Sequence, residues 1–242
     1  MDQVEQLQDY IAQSKNIVFF GGAGVSTESG IPDFRSPDGL YHQKYKYPPE
    51  DILSHSFFAA YPQEFYEFYR DKVLFLTAKP NEAHKKLAEL EKAGRLTAVI
   101  TQNIDGLHQA AGAKRVLELH GSIWRNYCID CGKTYAVDVI AAGAPIPRCC
   151  CGGIIRPDVV LYEEALDSDI LRQAETCLGQ ADLLIVGGTS LSVYPAAGLL
   201  AFYQGPLILI NKSATPHDRR ASLLIKESIG QVLGQIKVNG KQ

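Results

Sequence analysis

The sequence predicts an α/β fold, a doubly wound, Rossmann-like parallel sheet into which a smaller domain is inserted. Continuous apolar runs recur along the chain, at residues 16–20, 96–101, 116–119, 182–186 and 207–210. Such runs are typical of strands that are buried on both faces of a parallel sheet. Helical patterns separate the runs, and strands that alternate with helices indicate an α/β sheet covered on both faces. About five or six strands suit a nucleotide-binding sheet.

Each predicted helix is marked by apolar residues that share one face. The first helix is marked by Val4, Leu7 and Ile11, the second by Ala83, Leu87, Leu90 and Ala93, and the third by Leu171, Ala174 and Leu178. A fourth predicted helix, 196–203, follows Pro195. Proline is favoured in the first turn of a helix, which is why we expect the last helix to begin there.

Two stretches break the alternation of strands and helices. Residues 36–75 are rich in Tyr, Phe and Pro, and residues 122–157 contain five cysteines. We predict that the first forms a helical module, the second a zinc-ribbon module, and that both pack together as the small domain. Residues 1–35, 76–121 and 158–242 then form the Rossmann-like domain.

The composition excludes several classes of protein. The formal net charge is -3 and the pI about 6.1, so no overall basic field favours nucleic acid. No apolar run approaches the roughly 18 residues that a membrane span needs. The first residues are polar and acidic, unlike a secretion signal, and we therefore expect a cytoplasmic protein. In that reducing compartment, metal binding by the six cysteines is favoured over disulfides.

A glycine-rich loop, residues 21–27, follows the first apolar run. Glycine permits a sharp turn and a close approach of phosphate, which N–H groups at a helix N-terminus would then hold. The loop departs from the usual dinucleotide fingerprint, because Thr27 stands where a third glycine is expected. Taken alone, the loop fits a nucleotide site or an ordinary turn.

Polar side chains end two other predicted strands. Residues 101–105 follow one strand, at the edge of the sheet where ligands bind in open α/β folds. The alternative is a helix cap made by Asn103 or Asp105. His120 ends the strand 116–119 and is well placed for proton transfer. Its alternative is a histidine that only bonds the backbone.

The cysteines predict a structural zinc site. Cys128 and Cys131 precede a group at 149–151 with the spacing of paired zinc ligands. Glycines follow both Cys131 and Cys151, which suggests turns that point amides at sulfur. We predict the ligands Cys128, Cys131, Cys149 and Cys151, with Cys150 spare; four thiolates leave no open position for chemistry. Unrelated buried thiols are the alternative, and Cys177 is expected in the core.

Four motifs in order closely resemble those of the sirtuin family. They are Gly-Ala-Gly-Val-Ser at 22–26 with Gly-Ile-Pro-Asp-Phe-Arg at 30–35, Thr-Gln-Asn-Ile-Asp at 101–105, His-Gly at 120–121, and Gly-Thr-Ser-Leu at 188–191. The resemblance extends along almost the full chain and includes the cysteine cluster. It implies an NAD-dependent protein lysine deacetylase with a structural zinc ion, acting on proteins that carry acetyl-lysine.

The resemblance also implies roles for single residues. His120 is the general base, and Asn103 and Asp105 lie around the nicotinamide and its ribose. The residues expected to contact NAD are Gly22, Ala23, Gly24, Thr27, Phe34, Arg35, Gln102, Ile104, Asp105, His120, Gly188, Thr189, Ser190, Asn211 and Ile229. Residues 156–162 resemble the segment that pairs with substrate as an added strand, the alternative being an ordinary inner strand.

The implied reaction begins when the acetyl-lysine carbonyl oxygen attacks the ribose C1′ and nicotinamide leaves. His120 then activates a ribose hydroxyl, and water finally releases lysine and O-acetyl-ADP-ribose. Arg70 has Glu67 three residues before it instead of the Tyr found in members that remove succinyl groups, so we expect an uncharged acyl group. The alternative functions are mono-ADP-ribosyl transfer, removal of other uncharged acyl groups, a non-catalytic zinc-binding module, and an NAD-dependent dehydrogenase. The departure of the glycine-rich loop from the dinucleotide fingerprint disfavours the dehydrogenase.

Overall fold

The computed structural model describes residues 2–33, 39 and 45–238. In chain order the strands are β1 Ile17–Gly21, β2 Leu96–Thr101, β3 Val116–Glu118, β4 Gly121–Cys128, β5 Thr134–Tyr135, β6 Ile155–Val159, β7 Leu183–Gly187, β8 Leu207–Ile210 and β9 Leu223–Ile225. The α-helices are α1 Gln3–Gln13, α2 Pro49–Ile52, α3 His55–Ala60, α4 Pro62–Lys72, α5 Glu82–Lys92, α6 Leu107–Ala110, α7 Asp138–Ala141, α8 Ser168–Gln180 and α9 Ile229–Gly234. Short 3₁₀ helices lie at Ala23–Val25, Thr27–Ser29, Ala196–Phe202 and Asp218–Arg220.

Six strands form one parallel sheet in the order β3-β2-β1-β7-β8-β9. Counted along the chain within this sheet, the order is 3-2-1-4-5-6, which is the Rossmann order. The predicted fold class is therefore confirmed. The apolar runs do not predict β9, because a three-residue strand is too short to stand out from its surroundings.

Strand β1 lies in the middle of the sheet and is buried along its whole length, because it pairs with β2 and β7. Phe19 packs on one face of the sheet and Phe20 on the other, since side chains alternate along a strand. Helices α1, α5 and α9 cover the first face, whereas α8 and the stretch 196–202 cover the second. Three predicted helices are confirmed; the fourth is a 3₁₀ helix.

A smaller layer combines helices α2, α3, α4 and α7 with an antiparallel sheet in the order β5-β4-β6. The two segments that we predicted to pack together contribute to one apolar cluster, in which Phe65, Tyr66 and Tyr69 are fully buried. The boundaries of the two domains remain our proposal.

Across the ranges that the structure describes, none of the helices combines the length and the apolar character that crossing a lipid bilayer requires.

Candidate functional site

The predicted site residues gather at the carboxyl edge of the parallel sheet. Strands β1 and β7 are neighbours there, although β1 is the first strand of the chain and β7 comes after the strands of the smaller antiparallel sheet. The strand order reverses between them, and ligands of open α/β sheets bind at such a switch point. Three loops meet at this edge: the glycine loop 21–27 after β1, residues 102–106 after β2, and residues 188–190 after β7.

The glycine loop packs directly against the loop that follows β7. The amide of Gly24 donates to the carbonyl of Gly188 at 2.8 Å, and that of Gly22 to the carbonyl of Gly187 at 3.3 Å. A Cβ atom at Gly24 would lie 2.8 Å from the Cα of Gly188, so only glycine fits. The loop continues into 3₁₀ turns in which the amides of Val25 and Ser26 are bonded within the turn, and it does not present the α-helix N-terminus that we expected.

Asn103 and Asp105 belong to one hydrogen-bonded group centred on Ser26. The Ser26 hydroxyl donates to Asp105 Oδ2 at 2.6 Å, and Asn103 Nδ2 donates to Ser26 Oγ at 3.0 Å. Asp105 Oδ1 also accepts from the amide of Leu107 at 2.9 Å, so the carboxylate stabilises the start of α6 as well. Ser26 was not among the residues predicted for the site; the signal in the sequence is a hydroxyl residue inside the glycine loop, and the structure shows it to be buried.

His120 approaches the same loops from the end of β3. Its Nδ1 lies 2.9 Å from the carbonyl oxygen of Gln102. Because a carbonyl only accepts, Nδ1 carries the proton and Nε2 keeps a lone pair. Burial lowers the pKa of His120, and the bond to Gln102 offsets this only in part. A neutral imidazole with a free Nε2 can accept a proton at neutral pH.

Other residues that we predicted to contact NAD are hydrogen-bonded within the loops at this edge. Gln102 Nε2 donates to Thr189 Oγ1 at 3.2 Å, which joins the loops after β2 and β7, and Thr27 Oγ1 donates to the carbonyl of Gly24. Ser190 Oγ bonds Ser192 Oγ at 2.7 Å.

Two predicted contacts lie further along the sheet, and two fall outside the described residues. Asn211 follows β8, and its Nδ2 donates to the carbonyl of Ser213 at 2.8 Å. Ile229 begins α9 and is buried, with its side chain against Gly187. Phe34 and Arg35 are outside the described residues.

The structure brings together the four cysteines that we predicted as zinc ligands. The sulfur atoms of Cys128, Cys131, Cys149 and Cys151 all lie within 4.8 Å of one another. A tetrahedral zinc ion with Zn–S bonds of ~2.3 Å places its sulfurs ~3.8 Å apart, so this group is positioned to bind one. Cys150 is exposed and lies outside the group. The turns use glycine as expected, with φ of 71° at Gly132 and 92° at Gly152.

Two buried histidines form a pair close to Asp105. The rings of His84 on α5 and His108 on α6 have centroids 4.7 Å apart, and both side chains are almost fully buried. His84 Nε2 and both ring nitrogens of His108 make no hydrogen bond to another described residue. Burial lowers the pKa of His84 to about 4 and that of His108 to about 3. Both imidazoles are therefore neutral at pH 7.

Comparison with known proteins gives consistent results. Residues 22–195 match the sequence profile of the Sir2 family. A protein of Clostridium acetobutylicum named NAD-dependent protein deacetylase is 58% identical over 238 residues, covering 96% of this chain and 97% of that protein. A protein of Clostridium perfringens with the same name is 55% identical, covering 97% and 98%.

Solved structures agree. A Sir2 structure with a p53 peptide and NAD+ has a TM-score of 0.87 and 42% identity, covering 96% of both chains. Another, with a deacetylated p53 peptide and 3′-O-acetyl ADP ribose, has a TM-score of 0.89 and 42% identity, covering 95% of both. The chain therefore belongs to the Sir2 family, the sirtuins, as its motifs predict.

Proposed function

We propose that this chain is an NAD-dependent protein lysine deacetylase, which transfers the acetyl group of acetyl-lysine to ADP-ribose and releases nicotinamide and O-acetyl-ADP-ribose. The observation that carries the proposal is that His120 and the group of Asn103, Ser26 and Asp105 converge on one sheet edge. The relatives named NAD-dependent protein deacetylase support the same activity.

We assign NAD to the three loops at this edge. The nicotinamide and its ribose would lie at Gln102, Asn103, Ile104 and Asp105, where Ser26 holds the Asp105 carboxylate in place. The remaining proposed contacts, from the phosphates to the adenosine, are Gly22, Ala23, Gly24, Thr27, Phe34, Arg35, Gly188, Thr189, Ser190, Asn211 and Ile229. NAD supplies the ribose carbon that the acetyl oxygen attacks, and the protein contributes orientation and the exclusion of water.

His120 acts as the general base in this proposal. Its Nδ1–H is held by the Gln102 carbonyl, so the ring is oriented and Nε2 is the atom that accepts the proton of a ribose hydroxyl. Burial lowers the pKa of the imidazole and keeps it neutral, and therefore competent as a base, at physiological pH. The carbonyl of His120 accepts from the amide of Val160 at 3.0 Å, which joins the base to the proposed substrate segment.

The substrate peptide would pair with residues 156–162. Among the described residues, β6 lies at the edge of its sheet, because the order is β5-β4-β6. An edge strand can present backbone groups to an extended peptide. At the end of the segment, Tyr162 already pairs with Leu53 and His55, so the pairing would involve the residues before it. Val159 and Val160 are only half-buried, which agrees with a surface that a partner covers.

The acyl group would be uncharged. Arg70, the candidate partner for an acyl carboxylate, instead donates to the carbonyl of Ala144 at 2.9 Å, and its guanidinium lies 5.8 Å from the centre of the Tyr66 ring. Tyr66 itself donates to the carbonyl of Ile155 at 2.6 Å. Both side chains thus have structural partners, so acetyl and other neutral groups are favoured.

The zinc ion would have a structural role. Its four cysteines fill a tetrahedral shell, and Cys128 ends β4, the strand that begins beside His120. Removal of zinc would loosen this strand and act on the active site indirectly. Because the thiolates must stay reduced, we also propose a cytoplasmic location.

The test is an assay with an acetylated peptide, with and without NAD, that measures deacetylated peptide and nicotinamide. We expect both products in equal amounts and only with NAD. His120→Ala should lower the rate of deacetylation by about 10²–10⁴-fold, the usual contribution of a general base, while NAD still binds. His217→Ala, a histidine on a surface turn, is the matched control. Product without NAD, or full activity of His120→Ala, contradicts the proposal.

A further inference from the structure

Strand β4 bulges beside the turn formed by residues 104–107. In the pairing of β4 with β6, Ser122 lies opposite Asp158 and Asn126 opposite Pro157, so the β4 residues between them have no partner in the ladder. These bulge residues are Ile123, Trp124 and Arg125. A β-bulge bends a strand and redirects its side chains, and bulges are frequent next to active sites.

Two residues of the bulge bond to consecutive carbonyls of the 104–107 turn. The amide of Ile123 donates to the carbonyl of Ile104 at 3.0 Å. The indole Nε1 of Trp124 donates to the carbonyl of Asp105 at 2.8 Å. On the opposite side, Arg125 pairs with Glu118 at 2.6 Å and Asp158 at 2.8 Å, which anchors the bulge. The bulge thus connects a fixed strand to the turn.

The indole also packs against the turn at its tightest point. Gly106 has a φ of 73°, and a Cβ atom there would lie 2.7 Å from both Cδ1 and Nε1 of Trp124. Yet Trp124 is 45% exposed, so burial of its ring alone does not explain its position. The Trp124 indole contacts Asp105 and Gly106, whereas the Trp124 amide donates to Ser122 Oγ within β4.

We propose that Trp124 is a positioning residue for the nicotinamide end of the NAD site. The proposal rests on the proposed function, which assigns Ile104 and Asp105 to the nicotinamide. Trp124 fixes the peptide plane between Asp105 and Gly106, and so fixes where the Ile104 backbone and the Asp105 carboxylate meet the ligand. Without the indole N–H the Asp105 carbonyl loses this hydrogen bond and the peptide is held less firmly, so NAD binding must order it at the expense of affinity.

The test compares Trp124→Phe, which keeps a ring but loses the donor, with Trp124→Ala. We expect KM for NAD and the inhibitory concentration of nicotinamide to rise together, by about 3- to 10-fold in Trp124→Phe and at least as much in Trp124→Ala. The values of kcat, KM for the acetylated peptide and Tm should change little. Phe202→Ala, another half-exposed aromatic residue, is the control and should match the wild type.

Hydrogen exchange of the peptide that covers residues 102–108 is the second measurement. Faster exchange there in both Trp124 variants, with unchanged exchange around the zinc cysteines, supports the proposal. The proposal is wrong if exchange and KM for NAD stay within twofold of the wild type, or if all kinetic constants and Tm change together. If the wild type does not deacetylate the acetylated peptide, the proposed function is wrong. Hydrogen exchange of residues 102–108 then still tests whether Trp124 holds this turn.

Discussion

Acidification should destabilise this protein through the buried histidine pair, His84 and His108. Burial is the largest cause of their depressed pKa values, about 4 and about 3; the Asp105 charge opposes it at His84, and His84 adds to it at His108. Asp105 is also held by Ser26 and Leu107, so its charge is already compensated. Neither imidazole can take up a proton without placing a charge in the core.

The magnitude follows from linkage between proton binding and folding. In the unfolded chain the pKa of these histidines is about 6.5, above their folded pKa values, so the unfolded state binds more protons below that pH. Their contribution to stability is therefore complete above pH ~6.5 and is lost as pH falls towards the folded pKa values. Between pH 8 and pH 5 each site loses about 2 kcal/mol, or about 4 kcal/mol for the pair.

The assay is thermal or urea unfolding at several pH values, with bound zinc measured at each, because acid also protonates zinc thiolates. We expect the wild-type Tm to fall by roughly 8–16 °C between pH 8 and pH 5. His108→Leu should remove about half of this dependence, whereas His217→Gln should leave it unchanged. A wild-type loss below about 1 kcal/mol, or an unaltered slope in His108→Leu at equal zinc content, refutes the reasoning.

Two further predictions concern the proposed zinc site and the centre of the proposed NAD site. Cys149→Ser should lose zinc and melt at lower temperature, whereas Cys150→Ser should keep one zinc per chain, because Cys149 lies in the sulfur group and Cys150 does not. The measurements are the zinc content and the Tm of each variant. Zinc loss in Cys150→Ser alone would reverse the assignment of the fourth ligand. Ser26→Ala removes a hydrogen bond to the Asp105 carboxylate. We expect KM for NAD to rise by about 10-fold or more. Thr176→Ala, which removes an exposed hydroxyl from α8, is the control; an unchanged KM in Ser26→Ala would mean that Ser26 does not support this site.

The strands and the sheet edge at which the proposed site residues lie could be predicted because their signals are local. A run such as 16–20 can be buried on both faces only in the interior of a sheet, and a histidine at the end of such a run lies at the ligand-binding edge. Cys128 and Cys131 are recognisable because zinc ligation needs a short turn between paired ligands. In contrast, Ser26 and Asp105 are 79 residues apart, and no local pattern predicts their hydrogen bond.

The sequence by itself determined the sheet, the family and the kind of chemistry, because apolar periodicity and short motifs are properties of neighbouring residues. Only the tertiary structure decided which cysteine completes the sulfur group, how the glycine loop packs on Gly188, and which tautomer His120 adopts. It also revealed the buried pair of His84 and His108 and the contact of Trp124 with Asp105. These features depend on distances between segments far apart in the chain, and such distances exist only once the layers have packed.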